Sequence, residues 1–89
     1  MPSIDIVIST KLGLHARAAA KLTQLATAYK SEVFIARQGQ RVNAKSIMGV
    51  MMLAAGLGVT VTVDAEGEDA EDALNAIQQL FDNKFGEAE

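Results

Sequence analysis

Val59-Thr60-Val61-Thr62-Val63-Asp64 alternates without a break, with three valines on one side and two threonines and an aspartate on the other. Side chains along a strand point to opposite faces in turn, so this stretch predicts a strand with one dry face and one wet face. Residues 3–8 repeat the pattern, with Ile4, Ile6 and Ile8 opposite Ser3 and Asp5. Val33 and Ile35, with Phe34 facing the other way, mark a further strand, and Gln38-Gly39 reads as a tight turn into a short strand around Arg41 and Val42. Three helical stretches lie between. Residues 16–29 bring Ala18, Leu22, Leu25 and Tyr29 onto one face, and residues 70–85 do the same for Ala70, Leu74, Ile77, Phe81 and either Lys84 or Phe85. Acids crowd the start of the latter and Lys84 sits near its end, as a helix dipole favours. Residues 47–53 form a short helix, apolar on nearly every side and stopped by Gly56 and Gly58. The order βαββαβα predicts an α+β fold, an open-faced β-sandwich in which a four-stranded antiparallel sheet carries three helices on one face.

The chain has 89 residues, 49% of them hydrophobic and 21% charged. That length supports one core, hence a single domain over residues 1–89, with residues 86–89 expected to fray. No cysteine is present, which excludes disulfides, thiolate metal sites and cysteine nucleophiles. No apolar run approaches the roughly 20 residues of a membrane-spanning helix, so membrane insertion is not expected. The first residues lack the basic start and apolar run of a signal peptide, and a cytoplasmic location is expected.

Net charge is −3 but unevenly spread. Between Lys11 and Lys45 seven basic residues face one acid, Glu32, whereas from Asp64 onward nine acids face Lys84. The basic half suggests an acidic partner surface, a phosphoryl group, or merely solvated side chains. Nucleic acid is the remaining candidate, and the overall acidity and lack of stacking aromatics argue against it.

The single histidine, His15, precedes the helix beginning at Ala16, and Arg17 follows two residues later. This puts a ring nitrogen beside first-turn amides without intrahelical partners, the positive end of a helix dipole and a permanent cation. Such a set suits an anion, above all a phosphoryl group, with a neutral ring supplying the attacking lone pair. The same position also suits a surface histidine or a simple helix cap. One histidine without neighbouring acids makes a poor ligand set, so neither a metal nor a cofactor is expected. Ser46 stands where an N-cap belongs, and also where a regulatory phosphate would sit. Met48, Met51 and Met52 lie in the short helix with Ile47, Val50 and Leu53. Six apolar side chains exceed one buried face, so either the helix is wholly buried or it exposes a docking patch, with Ile47 and Met48 the outward pair.

Gly13-Leu14-His15-Ala16-Arg17, together with Lys45-Ser46-Ile47-Met48-Gly49-Val50-Met51, resembles the HPr family, the histidine phosphocarriers of the bacterial phosphoenolpyruvate-dependent sugar phosphotransferase system. The similarity extends over nearly the whole chain. It implies a stoichiometric carrier rather than an enzyme, one that takes a phosphoryl group from enzyme I and passes it to IIA proteins or domains. Residue by residue, it implies that His15 accepts the group on Nδ1, that Arg17 stabilises it, and that backbone amides at Ala16 and Arg17 donate to it. It further implies that Ser46 is the target of HPr kinase/phosphorylase, and that Leu14, Lys45, Ile47, Met48 and Met51 bind partners. A monomer is expected. A nitrogen-branch or mainly regulatory relative, acting as a signalling module, is the alternative. One departure stands out: most of the family has proline directly after the arginine, and this chain has Ala18, which restores a free amide in the first turn.

Overall fold

The computed structural model describes residues 2–86. Four strands, β1 (Ser3–Val7), β2 (Glu32–Arg37), β3 (Gln40–Asn43) and β4 (Thr60–Glu66), form one sheet in the order β1-β4-β2-β3. Every neighbouring pair is antiparallel. Register follows the alternation read from the sequence. Ile4 pairs with Val63, Val63 with Ile35, and Ile35 with Val42, so one apolar row crosses all four strands on the inner face. Its two central members are fully buried, and its two edge members are partly covered. The next row, Asp5, Thr62, Ala36 and Arg41, faces outward.

The expected α+β open-faced sandwich is therefore present, with α1 (Ala16–Thr27), α2 (Ile47–Met52) and α3 (Ala70–Asp82) as its helices. Gln38 and Gly39 both have positive φ, 49° and 84°, as a two-residue hairpin turn matching the twist of its strands requires.

Helix faces differ in detail from the sequence expectation. α1 buries Ala18, Ala19, Leu22 and Ala26, while Leu25 and Tyr29 are only partly covered. Alanines let a helix approach the sheet closely, and that approach selects the alanine-lined face over the bulkier one. α1 ends at Thr27 rather than 29, its last amides bonding back over three residues, Ala28 to Leu25 O and Tyr29 to Ala26 O. α3 stops at Asp82, not 85, because Lys84 and Phe85 take left-handed conformations (φ 53° and 58°). That reversal folds Phe85 back into the core, edge-on to Phe81 at 4.8 Å between ring centroids. Lys21 Nζ donates to the Phe85 carbonyl and fixes the turn. The fraying expected over 86–89 falls, beyond Gly86, outside the described residues.

Asp69, the residue before α3, does not cap its own helix. Its carboxylate instead accepts from the amides of Lys30 and Ser31, each at 2.9 Å, and from the Ser31 hydroxyl. These bonds, the Ser31 hydroxyl first and the Lys30 amide next, hold the acid well below its ordinary range, at about 2. The α1–β2 turn is thereby tied to the start of α3.

Candidate functional site

The loop between β1 and α1 ends on His15, and its path is set two residues earlier. Gly13 has φ 64°, and a Cβ there would lie 2.4 Å from the Ala55 carbonyl oxygen and 2.7 Å from Gly56 Cα. Only glycine allows this approach, which brings the Leu14 amide to donate to Ala55 O at 2.9 Å. Leu14 then points inward, 5% exposed and part of the core. The expectation that Leu14 meets partners is corrected accordingly: the left-handed turn at Gly13 drives its side chain into the interior, where it anchors the loop.

His15 is the N-cap of α1, with extended backbone (φ −78°, ψ −179°). Its carbonyl accepts the first helical bond, from Ala19 N–H at 2.8 Å. Its Nδ1 accepts the Arg17 amide at 3.2 Å. A nitrogen that accepts carries a lone pair, so this geometry calls for a neutral ring with Nδ1 unprotonated. The bond is at the long end of the usual range, and therefore weak enough to be exchanged for another partner. Nε2 is shielded from solvent, so the accessible edge of the ring is the Nδ1 edge at the helix start. Ala16 and Arg17 are exposed beside it, and the Arg17 guanidinium has no hydrogen-bond or ion-pair partner among the described residues. Ala18 is fully buried in the same first turn. The structure thus brings the ring nitrogen and one first-turn amide, that of Arg17, together.

Ser46 is the N-cap of α2, its hydroxyl accepting the Gly49 amide at 3.1 Å. Val50 and Leu53 point inward, while Ile47 (42%), Met48 (70%), Met51 (40%) and Met52 (66%) are exposed. The outward pair expected from the spacing is outward, and α2 is not wholly buried. Sequence reasoning missed Met52 as an exposed residue, along with Leu12 (69%) and Leu57 (59%). The two leucines flank the Gly13 and Gly56 contact in the chain. Their signal was an apolar residue inside a turn, which periodicity does not detect.

The basic half is less open than its charge count implies. Lys45 Nζ donates to the Tyr29 carbonyl at 3.0 Å, closing the end of α1 rather than reaching freely outward. Arg41 forms a two-pronged pair with Asp64 at 2.8 and 3.2 Å and lies 3.8 Å over the Phe34 ring. Arg37 donates to the carbonyls of Leu53 and Ala54 at 3.0 and 2.9 Å. With Lys21 on Phe85, four of the seven cations between Lys11 and Lys45 hold the fold together. No helix among the described residues is long and apolar enough to cross a membrane.

A family model described as "PTS HPr component phosphorylation site" matches residues 2–83. The phosphocarrier protein HPr of Cupriavidus necator is 58% identical over 85 residues, which covers 96% of both chains. Among solved structures, HPr from Thermoanaerobacter tengcongensis superimposes with a TM-score of 0.96 at 43% identity, covering both chains completely. An HPr dimer from the same organism gives a TM-score of 0.79 at 44% identity, covering 98% of this chain and all of the other. The resemblance carried by the two short motifs therefore extends through sequence and fold alike, and the chain belongs to the HPr family of phosphotransferase-system phosphocarriers.

Proposed function

We propose that His15 is the phosphoryl acceptor of this carrier, taking the group from phospho-enzyme I and passing it to IIA proteins or domains. The supporting observation is the Nδ1 lone pair, presented at the start of α1 by a long, exchangeable bond to the Arg17 amide. In the step, Nδ1 attacks phosphorus while the bond between phosphorus and its donor atom on enzyme I breaks, and the donor keeps the electron pair. The Arg17 amide, released from Nδ1, then turns to a phosphoryl oxygen, joined by the Ala16 amide and the Arg17 guanidinium. The Arg17 amide serves before and after transfer, so nothing large has to rearrange. His15 is consumed and regenerated once per cycle.

Ser46 is proposed as the regulatory site, modified by HPr kinase/phosphorylase. A phosphate there is tolerated by the amides of α2 and adds nearly two negative charges beside Ile47, Met48 and Met51, the apolar surface on which partners would dock. The protein is inferred to act as a single cytoplasmic domain and a monomer. A concentration-independent mass by light scattering supports the monomer, and a doubling at micromolar concentration overturns it.

The test of the main reading incubates the protein with enzyme I and phosphoenolpyruvate. One acid-labile phosphoryl mass is expected, absent in His15→Ala. Labelling that survives His15→Ala refutes the assignment. With ATP and HPr kinase/phosphorylase, an acid-stable mass removed by Ser46→Ala is expected.

A further inference from the structure

Arg37 lies at the end of β2, far in sequence from the His15 loop, yet its guanidinium donates to two consecutive carbonyls, Leu53 and Ala54, just after α2. Leu53 is the C-cap of α2, and Ala54 takes a left-handed conformation at φ 51°, a place where helices prefer glycine. The next residue, Ala55, supplies the carbonyl that accepts the Leu14 amide and against which Gly13 is packed. One contiguous path thus runs from the Arg37 cation through residues 53–55 to Gly13 and Leu14, and ends on the His15 cap. Arg37 is partly buried, and its Nε is shielded from solvent with no partner among the described residues. Burying a cation with one donor unsatisfied is unfavourable for packing alone. What the arrangement secures is the pair of carbonyls.

We propose that Arg37 is a positioning residue for phosphoryl transfer: by clamping the Leu53 and Ala54 carbonyls it holds the left-handed turn at Ala54, and through Ala55 it sets where the His15 loop delivers Nδ1. The proposal rests on the role given above to His15, and it adds a cation that touches neither the ring nor the phosphoryl group. Both bonds come from the one terminal nitrogen Nη1, held in place by the planar guanidinium; lysine would have to bring its ammonium to the same point on a shorter, more flexible stem, and so holds the two carbonyls less firmly. Glycine at position 54 adopts the left-handed conformation without steric cost, so it stands in for part of the clamp.

The experiment uses nitrogen-15-labelled full-length protein and follows the His15 Nδ1 and Arg17 amide resonances of the unphosphorylated form, then the rate of phosphoryl loss after labelling by enzyme I. In Arg37→Met both resonances should move away from their hydrogen-bonded positions. The phosphorylated variant should lose its group roughly fivefold faster, as expected for weakening about one hydrogen bond. Arg37→Lys should fall between, and Ala54→Gly in the Arg37→Met background should recover part of both effects. Arg41→Met, which removes a cation of the outer sheet face, should leave the His15 and Arg17 signals in place. A folded Arg37→Met with unmoved resonances and an unchanged rate overturns the proposal; should that variant fail to fold, Arg37→Lys is judged by the same criterion. If the wild-type protein takes up no phosphoryl group, the function assigned to His15 fails, while the two resonances still decide the positioning role.

Discussion

Replacing Ser46 separates two roles that coincide at one residue. α2 spans only Ile47–Met52, and a helix this short owes its persistence to its ends and to packing. Its first-turn amides have no intrahelical partners, and the Ser46 hydroxyl supplies one to Gly49 at 3.1 Å. Ser46→Ala removes that acceptor and should cost about 1 kcal/mol. For a domain of this size that is a fall in melting temperature of about 4–8 °C. Ser46→Asp keeps an acceptor at the cap and adds a negative charge at the positive end of the helix, so its stability should stay near that of the unmodified protein. Urea unfolding followed by far-ultraviolet circular dichroism measures both. Transfer from enzyme I should show the reverse order, slowed in Ser46→Asp and nearly unchanged in Ser46→Ala. Equal stabilities for all three proteins would show that the cap contributes nothing. Transfer slowed as much by alanine as by aspartate would show that loosening of α2, not charge, is what partners sense, and the electrostatic account of regulation would fall.

Ala18→Pro should leave stability level or slightly raised, since proline suits a first helical turn, and should change the lifetime of phospho-His15; an unchanged hydrolysis time shows that the Ala18 amide plays no part. The Asp69 carboxylate, held at about 2, favours the folded state at pH above its ordinary value near 3.8, and that contribution drains away as pH falls from about 4 toward 2. Asp69→Asn should therefore flatten the acid limb of the stability curve in urea melts at pH 7 and pH 3, and an equally steep limb would count against the assignment. Gly13→Ala should cost about 2 kcal/mol or more, because alanine resists a positive φ and its Cβ would press on the Ala55 carbonyl; a variant as stable as the parent, with the Leu14 amide still protected from exchange, would contradict the close approach.

The sheet was legible because its pattern is local. Val61 and Val63 against Thr60 and Thr62 leave a single way to bury the apolar side, and that choice fixes register across the neighbouring strands. His15 and Ser46 were legible as caps for a similar reason, since a cap bonds within three residues of itself. What escaped the sequence depends on distant backbone. Leu14 reads as a surface residue beside a site until the contact of Gly13 with Ala55 and Gly56 turns it inward. Lys21 reads as a solvated cation, yet its carbonyl partner lies 64 residues away, and Arg37 and Lys45 find theirs 16 residues away or farther. No periodicity records such pairings. They arise where helix ends leave carbonyls that something must satisfy.

These internal uses of charge bear on how a carrier can release what it accepts. A buried arrangement of several cations around His15 would hold a phosphoryl group tightly, and relay to the next protein would then be uphill. Here four of the seven cations between Lys11 and Lys45 are spent on carbonyls and on Asp64, while the ring accepts the exposed Arg17 amide. Hydrogen bonds that compete with water contribute about 1 kcal/mol each, and an exposed ion pair less than that. In the proposed relay, the phosphorylated state is therefore stabilised by only a few kcal/mol beyond a phosphohistidine in water, enough to order the group and too little to trap it. In that relay, a cation added in direct contact with the phosphoryl site should lengthen the lifetime of phospho-His15 and slow its onward transfer.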